Sequence, residues 1–340
     1  MGAKKTRLKE EESGGLLQEQ PLGPDLISRL PDEVLGDIIS LLSTGEGART
    51  QAISRRWRPL WRAAPLNLEV GDYPRRKSKR AALVTKILSE HAGPGRCFNL
   101  YGLCLHDRYA MVDGWLRSKS LTGLQEIDFS GADFSESRRP QPMPPSALLF
   151  AATLRFAWFS CCDFPEMKAL SLTTSMRTVK ILALESLEPN LDSVVDFLKC
   201  FPCVEKLYLT CNLQKTMKNE RAYNPLDPIE CLEVHLKKVV VNNYRGLRPE
   251  VDFAKFFVLN AKVLKGMEFA ALTSCNDKWM ASQHRRLQLD KRASPGARFL
   301  LEHAYRGISI PSFHMVDPFQ WVWQDKLNSV WHKELNREFD

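Results

Sequence analysis

Four cysteines in the middle of the chain have the clearest potential for metal chemistry. Cys200 and Cys203 form a C-x-x-C pair, and Cys211 and Cys231 follow downstream. Four thiolates can hold a zinc ion in tetrahedral geometry. The spacing to the second pair is long for a zinc knuckle, and free cysteines often pack as small apolar groups. The sequence therefore favours packing roles for these thiols and predicts neither a metal nor a cofactor.

The other residues with catalytic potential form no constellation. The seven histidines are scattered, and the sequence lacks H-E-x-x-H, a glycine-rich phosphate loop with its lysine, and G-x-S-x-G. A cysteine nucleophile stays open, because its base could come from any part of the fold. Since no nucleophile, base and orienting group can be named together, the sequence predicts a protein without catalytic chemistry.

A basic and aromatic stretch near residue 60 suggests nucleic-acid binding as an alternative. Its arginines and tryptophans interleave: Arg55, Arg56, Trp57, Arg58, Trp61 and Arg62. The net charge of +8 suits acidic partners but is not concentrated in one region. Tryptophans at this spacing are more typical of a core or an interface. We therefore keep a basic nucleic-acid binder as an alternative and expect no nucleic-acid partner.

Two short patterns bear on the protein's location. Gly2 with Thr6 fits the loose N-myristoylation pattern, and nearby basic residues could add membrane affinity. The basic run at 75–80 fits either a nuclear-import signal or a solvated linker. No apolar segment of a secretory leader follows Met1. The sequence predicts a cytoplasmic and/or nuclear protein whose cysteines are mostly reduced, and membrane anchoring through Gly2 stays open.

The elements that would position such residues begin with a compact helical segment from Asp25 to Trp61. Pro31 suits the first turn of its first helix, and a second helix is predicted from Ala48 to Arg58, ending near Pro59. Apolar residues recur at helical spacing: Leu30, Val34, Leu35, Ile38, Ile39 and Leu42. So short a segment cannot easily bury all of its apolar surface alone. The surplus is expected to pack against the rest of the chain or against a partner.

Beyond residue 80 the pattern predicts alternating helices and strands. A helix is expected from Ala81 to Glu90, and five short apolar runs are interpreted as strands. The residues of those runs are Leu124, Ile127 and Phe129; Leu154, Phe156 and Trp158; Val179, Ile181, Leu182 and Leu184; Val204, Leu207 and Leu209; and Ile229, Leu232, Val234 and Leu236. The steps from Leu182 to Leu207 and from Leu207 to Leu232 are 25 residues, which is typical of leucine-rich repeats.

The C-terminal part continues this alternation. We predict a helix from Val251 to about Leu264, a strand from Gly266 to Leu272 and a helix through Trp279 and Leu287. The last thirty residues are rich in tryptophan. They could fold back on the body or engage a partner.

Residues 27–68 resemble an F-box of the plant type. The resemblance rests on Leu-Pro-Asp-Glu-Val-Leu at 30–35, on the aliphatic run at 38–42, and on Ile-Ser-Arg-Arg-Trp-Arg-Pro-Leu-Trp at 53–61. Downstream stretches at 91–96, 150–155 and 198–203 resemble the same plant family. Residues 230–269 and 279–299 resemble the FBD domain that closes many F-box/leucine-rich-repeat proteins. The resemblance covers about residues 25–305.

The resemblance implies a substrate-recognition subunit of a Skp-cullin-F-box ubiquitin ligase. Its F-box would bind a Skp-type linker and, through it, a cullin. Its repeats would hold an unknown target protein for ubiquitination and proteasomal degradation. Matching positions assign linker binding to nine residues: Leu30, Pro31, Val34, Leu35, Ile38, Ile39, Trp57, Leu60 and Trp61. Any of these could instead belong to internal packing, Trp57 in particular.

The fold class implied is α+β, with a three-helix F-box, a short leucine-rich-repeat-like α/β solenoid and an FBD-like α/β unit. The predicted ranges are a tail at 1–24, the F-box at 25–70, a basic linker at 71–80, repeats at 81–225, the FBD-like domain at 226–310 and a Trp-rich tail at 311–340. The repeats are shortened near 164–167 compared with the family. A degenerate or non-ligase F-box interaction protein is therefore the first alternative, ahead of the basic nucleic-acid binder.

Overall fold

The structure is a computed structural model, and it describes most of the chain between residues 26 and 303. The described ranges are 26–69, 77–100, 108–129, 141–160, 162–163, 175–186, 191–211 and 227–303. The tail at 1–24 with Gly2, most of the basic linker, the shortened junction at 164–167 and the Trp-rich tail at 311–340 lie outside these residues.

Helices and strands alternate along the described chain. The helices are α1 (Asp32–Ser40), α2 (Thr44–Thr50), α3 (Trp57–Ala63), α4 (Lys77–Glu90), α5 (Tyr109–Leu116), α6 (Leu191–Cys200), α7 (Glu230–Val234), α8 (Arg248–Asn260) and α9 (Asp277–Arg286). The strands are β1 (Leu66–Glu69), β2 (Gly95–Asn99), β3 (Glu126–Phe129), β4 (Gln141–Pro142), β5 (Phe156–Ser160), β6 (Cys162–Asp163), β7 (Ile181–Ser186), β8 (Lys206–Cys211), β9 (Lys238–Tyr244), β10 (Gly266–Ala271) and β11 (Arg298–His303). Four short 3-10 helices complete the described elements: Ile27–Arg29, Lys119–Leu121, Pro145–Phe150 and Leu289–Lys291.

Local signals set the ends of the N-terminal helices. Pro31 caps α1 in an extended conformation, and Asp32 in the first turn lies near the positive end of the helix dipole. Ser43 and Glu46 form a capping box at the start of α2. The predicted second helix from Ala48 to Arg58 is wrong, because α2 ends at Thr50 and α3 begins at Trp57. Pro59 lies in the first turn of α3 instead of ending a helix, since the first turn needs no N–H at that position.

Nine strands form one parallel sheet, in the order β1-β2-β3-β5-β7-β8-β9-β10-β11. Neighbours in the sheet are therefore successive elements of the chain, as in a solenoid. The small strands β4 and β6 pair separately. The predicted mixture of helices and strands is confirmed, and every described strand pair is parallel. Because β8 pairs with β9, the predicted repeat region and FBD-like region share this sheet.

The register confirms one repeat step and corrects the next. Leu182 lies opposite Leu207, as the 25-residue step predicts. Leu207, however, lies opposite Val239 and not beside Leu232. Leu232 lies in the short helix α7, and Ile229 lies directly before that helix; both residues are buried in the core. The predicted strand at Ile229–Leu236 is therefore wrong.

The core lies between the sheet and its helices. Phenylalanines from successive elements meet there, with Phe129 and Phe201 at ring-centroid distances of 6.3 and 6.4 Å from Phe159. Such tilted aromatic contacts add to the burial of apolar area. The core runs as one apolar layer along the sheet, from α1 to β11.

Within the described residues, no helix is both long and apolar enough to cross a bilayer.

The helices predicted for the C-terminal part are confirmed within a few residues as α8 and α9, with the strand β10 between them. Glu250 in the first turn of α8 is buried, and its carboxylate accepts hydrogen bonds from the backbone N–H groups of Arg245 (2.8 Å) and Leu247 (3.1 Å). Asn276 caps α9 by accepting from the N–H of Trp279 at 2.9 Å. These caps satisfy backbone donors that helices leave unpaired at their starts.

Candidate protein-docking surface

Helix α1 carries a broad apolar face that the core covers only in part. Leu35 and Ile39 are fully buried against the core. Val34 and Ile38, spaced four residues apart, lie beside them on the helix and are 40% and 39% exposed. Leu41, which caps the helix three residues later, is 54% exposed. The outer side of α1 is therefore an apolar strip facing solvent, the kind of surface that a partner helix or groove covers.

The nine residues predicted to bind a linker fall into three groups in the structure. Val34, Ile38 and Pro31 are exposed. Leu30 and Leu60 are partly buried and pack against the core. The fully or nearly buried residues are Leu35, Ile39, Trp57 and Trp61. In this conformation only the first group, with the exposed parts of the second, can contact a partner directly.

Arg56 ties the start of α3 to the start of α1. Its guanidinium donates to the Asp32 carboxylate at 2.6 Å and to the backbone carbonyls of Ser28 (2.8 Å) and Leu30 (2.6 Å). One planar guanidinium thus connects the start of α3 to Ser28, Leu30 and Asp32. The single ammonium group of a lysine does not have this planar set of donors. Trp57 and Trp61 are buried in the same segment, so bases could not stack on them without opening it.

Polar contacts hold the helical segment on the first strand of the sheet. The Asn67 side chain on β1 donates to the backbone carbonyls of Ser40 (2.7 Å) and Leu42 (2.9 Å) at the end of α1. Thr44 at the start of α2 donates to the carbonyl of Asn67. These bonds satisfy carbonyls that the helix end would otherwise leave unpaired. The strip on α1 therefore has a fixed position relative to the sheet.

His91, which follows α4, packs against the end of α3. Its ring lies 5.3 Å from the ring of Trp61, and its Nε2 lies 3.0 Å from the carbonyl oxygen of Ala64. Burial lowers the pKa of His91, which favours the neutral ring. A neutral ring can remain packed against the tryptophan.

Sequence reasoning missed some exposed apolar residues of this segment. Leu41 could have been found, because it continues the i, i+4, i+7 spacing of Val34 and Ile38. Ile53, 61% exposed in the turn between α2 and α3, has no periodic signal. Leu26 and Ile27 at the start of the described chain are exposed too. We call Val34, Ile38 and Leu41 the α1 strip.

A second apolar cluster lies on the side of the sheet opposite the main core. Ala183, Tyr208 and Val240 are adjacent on β7, β8 and β9 and are buried, with Trp158 and Ile181 packed beside them. Burial raises the pKa of Tyr208 to about 12. This sheet-face cluster spans the boundary between the predicted regions, with β7 and β8 in the predicted repeats and β9 in the predicted FBD-like region.

The side chains around the sheet-face cluster are charged. Lys206 and Lys238 are neighbours in the register next to Tyr208 and Val240. The ammonium group of Lys238 pairs with Glu268 on β10 at 2.8 Å. Because Ala183, Tyr208 and Val240 are buried, only the partly exposed residues beside them, such as Trp158 and Lys206, can contact a partner on this face.

Comparison with known proteins gives two family matches. Residues 224–269 match the FBD family. Residues 164–209 match the LRR repeats of the FBD-associated F-box protein At5g56370. The described parts of these stretches contain α7 to β10 and β7 to β8, respectively. Neither stretch includes the three N-terminal helices.

Similar proteins from Arabidopsis thaliana carry names of the same kind. The F-box/FBD/LRR-repeat protein At5g44950 is 34% identical over 119 residues, which are 33% of this chain and 26% of the relative. The F-box/LRR-repeat protein At2g42730 is 40% identical over 79 residues, covering 20% and 17% of the two chains. The F-box/FBD/LRR-repeat protein At1g51370 is 25% identical over 188 residues, covering 54% and 40%. The chain thus covers 40% or less of the length of each of these relatives.

Proposed function

We propose that this chain, whose FBD segment and FBD-associated repeats confirm its resemblance to plant F-box/FBD/leucine-rich-repeat proteins, is a non-catalytic substrate adaptor of a Skp-cullin-F-box ubiquitin ligase. Residues 25–70 would be its F-box and would bind a Skp-type linker. Residues 81–225 and the FBD region at 226–310 would hold the target protein. The adaptor would work in the cytosol or the nucleus.

The observation that carries the proposal is the α1 strip. Three apolar side chains at α1 face solvent, and they adjoin the part of the same helix that supplies the core residues Leu35 and Ile39. The apolar face of α1 is therefore wider than the part that the chain's own core covers. The uncovered part calls for a partner, and the family resemblance names a Skp-type linker as that partner.

The mechanism of such an adaptor is proximity. A target held on the sheet side of the repeats would be carried to the conjugating enzyme at high effective concentration. The partly exposed residues around the buried sheet-face cluster, Trp158, Ile181, Lys206 and Lys238, would supply a surface for that target. The chain itself would make and break no bond.

The test is co-purification of the full chain with a plant Skp-type linker, followed by affinity measurement. Val34→Asp/Ile38→Asp places two charges in the centre of the proposed interface. Buried hot-spot residues contribute about 2 kcal/mol each, so the double variant should weaken binding by about 10³-fold. Leu35 is unsuitable for this test, because it is fully buried and its replacement by Asp would unfold the segment.

The matched control is Leu83→Asp/Met111→Asp, which changes two residues of similar exposure (40% and 45%) on α4 and α5. It should leave linker affinity unchanged. Circular dichroism should show the same helix content in all three proteins. A folded wild-type chain that forms no complex, or equal losses in both double variants, would contradict the proposal.

A further inference from the structure

Three side chains with metal-binding atoms converge where the repeats meet the FBD segment. Cys203 lies in the turn between α6 and β8, Glu230 begins α7, and His235 follows the end of α7. One ligand atom from each side chain lies within 4.8 Å of the other two. Cys203 is 7% exposed, whereas the other two are partly exposed. The cluster therefore has a buried wall and an open side.

The donor set suits zinc. A thiolate, an imidazole and a carboxylate are the three ligand types that zinc takes in proteins. With metal–ligand bonds of about 2.0–2.3 Å, the edges of a tetrahedral site measure about 3.3–3.8 Å. The Nε2 atom of His235 lies 3.6 Å from a carboxylate oxygen of Glu230, which is one such edge. The charges of a thiolate and a carboxylate would also neutralise a divalent ion.

Arg177 contacts the carboxylate of this cluster. Its guanidinium donates to both carboxylate oxygens of Glu230, at 2.5 and 3.0 Å. The Arg177 side chain is 55% exposed, so it can turn into solvent at small cost when an ion takes the carboxylate. A metal ion and the Arg177 guanidinium therefore compete for the same carboxylate oxygens of Glu230.

We infer that Cys203, Glu230 and His235 form a zinc site that joins the last turn of the matched repeats to the first helix of the FBD segment. Cys203 falls in the stretch matched to the repeats, and the other two fall in the stretch matched to FBD. Three protein ligands would leave a fourth position for water. The site is different from the four-cysteine set considered from the sequence, since it takes Cys203 alone from that set. It stands independently of the adaptor function.

The test uses the full chain, stripped with a chelator under reducing conditions and titrated with Zn²⁺ by calorimetry and with Co²⁺ by absorption. We expect one ion per chain and the thiolate-to-cobalt charge-transfer band. Cys203→Ser should abolish the band. His235→Gln, at a partly exposed position that does not threaten the fold, should weaken zinc binding by more than the roughly 10–100-fold cost of losing an outer-shell partner.

Two further variants separate this site from other thiols. Cys275→Ser changes a free cysteine elsewhere in the fold and should leave binding unchanged. Arg177→Gln removes the competitor and should tighten binding, whereas a purely structural ion pair would give no such gain. Absence of stoichiometric binding to the folded chain would overturn the inference. A charge-transfer band that persists in Cys203→Ser would also overturn the inference, and so would loss of the band in Cys200→Ser.

Discussion

Two glycines on the same short helix are expected to respond in opposite ways to alanine. A Cβ atom at Gly47 would lie 2.2 and 2.7 Å from two ring carbons of Trp61, whereas a Cβ at Gly45 would meet nothing within 4 Å. Trp61 cannot yield easily, because it is buried and its ring contacts His91. The ring of Trp61 on α3 therefore packs directly against the backbone of α2 at Gly47.

The magnitude follows from two opposing effects. Overpacking of a core costs about 1–3 kcal/mol, and a contact this short belongs at the upper end. Replacing glycine by alanine in a helix gains at most about 1 kcal/mol. Gly47→Ala should therefore destabilise the helical segment by about 2 kcal/mol. Gly45→Ala has only the favourable effect, and it should stabilise the segment by up to about 1 kcal/mol.

Hydrogen exchange measured by mass spectrometry on peptides from α2 and α3 reports this local stability, since a chain of this size need not unfold in one step. A loss of 2 kcal/mol corresponds to roughly 30-fold faster exchange in Gly47→Ala. Exchange in Gly45→Ala should be equal to or slower than wild type. If both variants exchange equally fast, the close approach of α2 to Trp61 is not what holds the segment, and the packing argument fails.

Two predictions concern titration. Burial raises the pKa of Tyr208 to about 12. The stability that comes from keeping this phenol neutral is complete below the ordinary pKa of 10.0 and is lost as the pH rises towards 12. Ultraviolet titration of tyrosinate should show a late step that Tyr208→Phe removes. The hydrogen bond from Lys237 lowers the pKa of Glu205, so this contribution is present above the ordinary value of 4.5 and is lost as the pH falls through the lowered value. Glu205→Gln should reduce stability at neutral pH by no more than about 1 kcal/mol, and the difference in urea midpoint should disappear in acid.

The parts of the fold that could be predicted are those with a repeated pattern. The apolar spacing of Leu35 and Ile39 predicted a helix, and the structure has it. The step from Leu182 to Leu207 predicted neighbouring strands, and the register pairs these two residues. In both cases one periodicity decides which face is buried, so the apolar pattern alone predicts the type of element.

The wrong strand at Ile229–Leu236 arose where two periodicities compete. Ile229, Leu232 and Leu236 are buried and spaced by three and four residues, which is a helical period, whereas alternation was given more weight. The strand that follows contains three consecutive valines, of which Val240 faces the side opposite Val239 and Val241. A strand buried on both faces has no alternation to find.

The candidate docking site was predictable as a segment but not as a surface. Val34 and Leu35 are adjacent in sequence and equally apolar, yet one faces solvent and the other the core. Only the position of α3 and β1 decides which side of α1 is covered. The cluster of Cys203, Glu230 and His235 was beyond prediction for the same reason, since its members come together through the pairing of β8 with β9.

The continuity of the sheet bears on how the proposed adaptor would work with the shortened repeats that the sequence predicts. Asn67 fixes the end of α1 to β1, and five strand-to-strand steps separate β1 from β8 in the sheet. At about 4.8 Å a step, the α1 strip and the centre of the sheet-face cluster would be held roughly 24 Å apart along the sheet. Loss of a repeat between them would shorten that distance by about 5 Å and rotate the target surface slightly, while the strip and its supports on α3 and β1 would remain. In the proposed adaptor, shortening would therefore alter which lysines of a bound target reach the conjugating enzyme before it altered binding of the linker.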